Sequence, residues 1–116
     1  MDFTWLDGIG AAITVCDRDG VIVYMNAQSI RIFADQGGAA LLGKSLYDCH
    51  PEPANVKVRQ MLKDGTSNTY TIEKKGIKKL IWQTPWIEEG VCKGLVEVGI
   101  PIPFDMPHFV RDKKEG

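Results

Sequence analysis

The residues best equipped for chemistry fall together at Asp48-Cys49-His50, a carboxylate, a thiol and an imidazole in a row. Cys49 and His50 have the side chains of a nucleophile and its base. Neighbours in sequence, however, point apart unless a turn folds them together. His50 also offers an iron ligand for a haem, although Pro51 leaves its ring on a loop and no Cys-x-x-Cys-His attachment motif is present. A zinc set drawn from Cys49, His50 and His108 lacks the paired ligand spacing that such sites use. The chain has no glycine-rich phosphate loop, Gly-x-Ser-x-Gly elbow or His-Glu-x-x-His helix. We therefore expect no catalytic residue, no metal and no cofactor, with haem on His50 as the alternative.

Those residues sit in a chain of 116 residues, the length of one domain able to bury one core. The net charge is −1 and the basic and acidic residues are interspersed, which excludes the footprint of a phosphate backbone or an anionic membrane. The densest basic cluster, Lys74, Lys75, Lys78 and Lys79, reads as a solvated hairpin tip. No apolar run reaches the roughly 18 residues of a membrane span, and Asp2 stands where a secretory leader would be basic, so the expected location is the cytoplasm. Three widely spaced cysteines do not form a disulfide framework and are expected as free thiols. Cys16 and Cys92 lie in strand-like runs as small hydrophobes.

The patterning alternates strands and short helices. Ala12 to Cys16 and Val21 to Met25 are apolar or β-branched and flank Asp17-Arg18-Asp19-Gly20, the composition of a hairpin turn. Asn26 is placed to cap a helix carrying Ile30 and Phe33, which Gly37-Gly38 ends. Ala39 to Asp48 predicts one or two single-turn pieces, and Pro51 and Pro53 open a longer helix with Ala54, Val58, Met61 and Leu62 on its apolar stripe. Strands follow at Thr69 to Glu73, Leu80 to Ile87 and Cys92 to Ile102, with Pro101 and Pro103 expected to cut off further pairing. The fold class is thus α+β, five antiparallel strands with the helices inserted between the second and third and the first strand beside the last. Residues 1–10 form an N-terminal flank with a short amphipathic helix, 11–103 the domain and 104–116 a tail.

Ala12 to Asn26, with an acidic-x-Asp-Gly turn leading to an asparagine at a helix start, resembles the opening hairpin of PAS domains. Leu41-Leu42-Gly43-Lys44-Ser45-Leu46 is similar to the segment that follows the first helix in that family. The resemblance implies a sensory or signalling domain of the bacterial type. It departs at Gly99-Ile100-Pro101-Ile102-Pro103, where many relatives carry an Asp-Ile-Thr-like motif entering a coiled-coil linker. The protein then works alone or through a partner in trans, unless the chain is a fragment. Flavin photosensors of this fold share with Asp48 to Pro53 only a cysteine.

A curved sheet capped by broken helices leaves room for a ligand at the domain centre. We expect Ile30, Phe33, Leu46, Tyr47, His50, Met61 and Trp82 to line it, Tyr47 and Trp82 each adding one polar hydrogen. Such a wall suits a small organic molecule better than a nucleotide, since only Arg31 is near to meet phosphates. The competing reading packs the same residues solid and leaves a protein–protein interaction module. Either way the apolar flanks Phe3 to Ile9 and Phe104 to Val110 favour a homodimer.

Overall fold

A computed structural model describes residues 2–48 and 52–112. Strands β1 (Ala12–Asp17) and β2 (Ile22–Met25) form the opening hairpin; α1 (Ala27–Ile32) follows. Three single 3-10 turns, Ala34–Gln36, Gly38–Leu41 and Leu46–Asp48, lead to α2 (Glu52–Asp64). Then come β3 (Asn68–Lys74), β4 (Ile77–Glu88) and β5 (Val91–Ile102). The sheet is five-stranded and antiparallel in the order β2-β1-β5-β4-β3, so the first strand lies beside the last and the helices fall between the second and third.

The opening hairpin holds together through two short polar devices. Asp17 Oδ1 accepts from the backbone N–H groups of Asp19 (2.9 Å) and Val21 (3.0 Å), closing the turn locally. Asn26 is wholly buried, and all of its side chain is used. Its Oδ1 accepts from the N–H groups of Ile13 (2.9 Å) and Ser29 (3.0 Å), and its Nδ2 donates to the carbonyls of Leu6 (2.7 Å) and Ala11 (2.8 Å). One residue thus caps α1, anchors β1 and ties down the N-terminal segment. That segment forms a single 3-10 turn, Thr4–Asp7, shorter than the amphipathic helix expected, with Phe3 and Trp5 exposed. Gly8 and Gly10, costly in a helix, account for the difference.

Gly20 sits at φ +81°, and a Cβ there would lie 2.5 Å from the Tyr47 ring. The glycine therefore allows both the turn and the close packing of Tyr47 on it. Next to it, Leu46 N–H donates to Gly20 O (2.8 Å), while Ile22 N–H donates to Lys44 O (2.9 Å), so the Leu41 to Leu46 segment covers the free edge of β2. Pro101 does not end pairing: it remains in β5 opposite Lys79. β1 pairs with β5 only as far as Gly99, so the proline nitrogen meets no neighbour on that side and its missing N–H costs nothing. Pro85 in β4 lies in the same way beyond Gln83, where pairing with β3 ends.

Register decides the two faces. Thr14 and Cys16 on β1, Leu95 and Glu97 on β5, Gln83 on β4 and Asn68 on β3 share the face beneath the helices. Val15, Val96, Val98, Trp82 and Leu80 share the opposite face. The core lies on the helical side, built from Cys16, Ile22, Met25, Leu41, Leu46, Val58, Met61, Leu62 and Leu95.

Candidate functional site

The core does not close over the sheet. A cavity of about 490 Å³ lies between the helices and β1, β3, β4 and β5, inside the size range of small-molecule sites. One end is apolar, formed by Ile22, Met25, Leu41, Leu46 and Leu95. α2 contributes Ala54, Lys57 and Val58, and Phe33 and Gln36 approach from the segment after α1. The other end is a polar row laid across three strands, Asn68, Gln83 and Glu97, flanked by Thr14 and Tyr70.

The row has a fixed direction. Gln83 Nε2 donates to Glu97 Oε2 at 2.8 Å, and Asn68 Nδ2 donates to Gln83 Oε1 at 3.1 Å. A carboxylate only accepts, so it orients the Gln83 amide with its nitrogen toward Glu97 and its oxygen toward Asn68. Asn68 then spends one of its two N–H donors on Gln83. The row leaves two acceptors without a bond inside it, the Glu97 carboxylate's second oxygen at one end and Asn68 Oδ1 at the other. Thr14, opposite Glu97, shares a 2.6 Å hydrogen bond with Ser29 of α1.

Two titrating groups feel this setting. Burial pushes the Cys16 thiol up to about 11, so it stays protonated and poorly nucleophilic at neutral pH. The Tyr70 phenol is raised above its ordinary value, chiefly by desolvation and next by the Glu97 charge.

The expected lining residues divide. Phe33 and Leu46 line the cavity; Ile30 and Tyr47 pack against the core beside it, and Met61 is fully enclosed within the core. Tyr47 instead carries the Arg59 guanidinium 4.5 Å above its ring. Trp82 requires correction: it pairs with Val98 on the outer face and is 46% exposed. Its neighbour Gln83 turns inward, because side chains alternate along a strand. His50 and Cys49 lie outside the described residues, and His108 is exposed in the tail. The residues not foreseen are Thr14, Asn68, Gln83 and Glu97. Their signal was present as polar residues interrupting strands, at positions out of phase with Val96, Val98 and Trp82.

A family model described as PAS fold matches residues 6–73, more than half of the chain. The chain belongs to the PAS family. Among solved structures it resembles a C-terminal domain from Streptococcus mutans, with a TM-score of 0.70, 18% identity and 84% of this chain covering 79% of that one. It also resembles the Vibrio cholerae Aer2 receptor, described as a dual PAS-heme oxygen sensor (TM-score 0.60, 17% identity, 83% of this chain covering 97% of that one). A sensory box histidine kinase from Vibrio cholerae gives a TM-score of 0.60 at 22% identity, covering 86% of this chain and 88% of that one. No curated protein matches.

One of these structures is described as a PAS-heme sensor, which raises haem as an occupant of the cavity. No histidine stands among the described lining residues, and the Cys16 thiol, raised to about 11, is far from the thiolate that iron prefers. The described residues do not fit a haem.

Proposed function

We propose that this PAS domain is a sensor that takes a small molecule into the central cavity and signals through contacts with a second copy or a partner protein. The observation that carries the reading is the Asn68–Gln83–Glu97 row turned into a space of about 490 Å³. A core evolved only to pack would place apolar residues there, because polar groups removed from water cost free energy unless each is paired. Here the pairing is partial, leaving acceptors for an incoming molecule.

The same strands supply a route outward. Glu97 faces the cavity while Val96 and Val98, its neighbours in β5, face out beside Trp82 and Thr84. A shift of β5 on binding thus alters the apolar outer face, where Trp82 and Trp86 remain accessible. That face favours a homodimer. A pure interaction module, with no ligand, is the second reading; the exposed Trp82 supports it as well.

Native mass spectrometry of gently purified protein separates them. The sensor reading expects a small molecule to travel with the wild-type chain and to be missing from Ala54→Phe, which fills the α2 side of the cavity. Equal bare masses, with both proteins dimeric, would leave only the interaction module.

A further inference from the structure

We infer that the ligand is a small organic cation, a protonated amine on an apolar body, with its ammonium seated on Glu97. The inference rests on the reading of the cavity as a ligand site and adds the chemical class. Its basis is the balance of donors and acceptors in the wall. Glu97 is part-buried and receives one amide hydrogen bond, from Gln83, on Oε2; no ion pair among the described residues involves it. Lys57, the one cationic side chain in the lining, stands on α2 and is exposed. Asn68 and Gln83 each spend one N–H along the row and keep a second, so the donors beside the carboxylate are neutral amides with no charge to balance it. Glu97 Oε1 and Asn68 Oδ1 are left as acceptors. An ammonium offers three donors and a positive charge, which answers the two free acceptors and, above all, a carboxylate with no ion pair among the described residues.

The remaining walls select the rest of the molecule. Met25, Leu41, Leu46 and Leu95 make the opposite end apolar. An amine with an aromatic or aliphatic body spans the two ends. An anionic molecule would face Glu97 across the same space, and like charges in a partly desolvated site repel strongly.

Three probes of similar shape test the class: phenethylamine, phenethyl alcohol and hydrocinnamate, titrated calorimetrically into wild type, Glu97→Gln and Ala54→Phe. The expected result is that phenethylamine binds wild type at least about tenfold more tightly than the alcohol, as a charge-assisted hydrogen bond implies. Glu97→Gln should erase that preference while leaving the alcohol unchanged within about twofold. Binding of the alcohol or hydrocinnamate as tight as that of the amine, lost in Ala54→Phe, overturns the cationic class and keeps the ligand site. Absence of binding by all three, or binding indifferent to Ala54→Phe, overturns the site as well.

Discussion

Gln83 and Glu97, directly opposed on β4 and β5, are joined by a 2.8 Å hydrogen bond on the helix-covered face of the sheet. The bond holds the carboxylate against the sheet and fixes the amide that meets Asn68. Replacing Gln83 by leucine keeps the volume but strips both neighbours of their partner. We expect Gln83→Leu to lower stability by about 1–3 kcal/mol in urea unfolding, the cost of leaving part-buried polar groups unpaired. An unchanged midpoint would mean that water already serves Asn68 and Glu97.

Asn26 makes a sharper case, since four hydrogen bonds converge on a side chain with no exposure. Asn26→Ala should cost more than about 3 kcal/mol, measured by chemical denaturation, because two N–H groups and two carbonyls lose their partner at once. Asn26→Asp should be no milder. Its second oxygen would point at the carbonyls of Leu6 and Ala11, which accept and cannot donate.

Gly94 shows a purely steric constraint. A Cβ at this position would stand 2.0 Å from the Cys16 carbonyl oxygen, on the strand paired with β5. Gly94→Ala must push β1 and β5 apart, and a loss of about 2 kcal/mol or more is expected in thermal or urea unfolding. Gly99→Ala, whose nearest foreign atom is the flexible Ile81 side chain at 3.4 Å, is the matched control and should be far milder.

The order of elements was legible in the sequence because each local signal agreed with the fold: the Asp17 to Gly20 turn, the Asn26 cap and the alternation of Tyr70 and Ile72. The cavity wall was less so. Strand periodicity separates two faces without saying which one turns inward, and the usual rule sends the apolar face to the core. In β4 and β5 that rule fails, since Trp82, Val96 and Val98 face out while Gln83 and Glu97 face in. Only register with β1, whose Cys16 is buried, resolves the choice. Pro101 misled for a related reason: its cost depends on whether a neighbouring strand continues beside it.

Cys16 gives a dependence on pH. Its folded value, raised by burial from 9.0 to about 11, lies above that of the unfolded chain. Its contribution to stability is therefore fully present below about pH 9 and is lost as the pH climbs toward 11, because the unfolded thiol ionises first. Urea midpoints should fall across that interval, and Cys16→Val should flatten part of the fall. Alkylation at neutral pH should reach half-buried Cys92 well before Cys16. A Cys16 labelled as fast as Cys92 would contradict the enclosed thiol.

For the outer face, Trp82→Lys is the cleaner probe of self-association than trimming the N-terminus, since Leu6 and Asp7 are bonded to Asn26 and Ala27. Sedimentation should show a dimer that Trp82→Lys converts to monomer without change in fold. A wild type monomeric at the same concentration would remove the homodimer and leave a heterologous partner as the receiver.

The cavity itself is tested most directly by methyl NMR of methionine-labelled protein titrated with phenethylamine. Met25 lines the cavity, whereas Met106 lies 52% exposed in the tail and reports nonspecific effects. The account predicts a saturable shift of the Met25 methyl, no movement of Met106, and loss of the Met25 response in Ala54→Phe. A Met25 resonance that stays fixed through the titration, or moves equally in the filled variant, would contradict a ligand-binding cavity in this PAS domain.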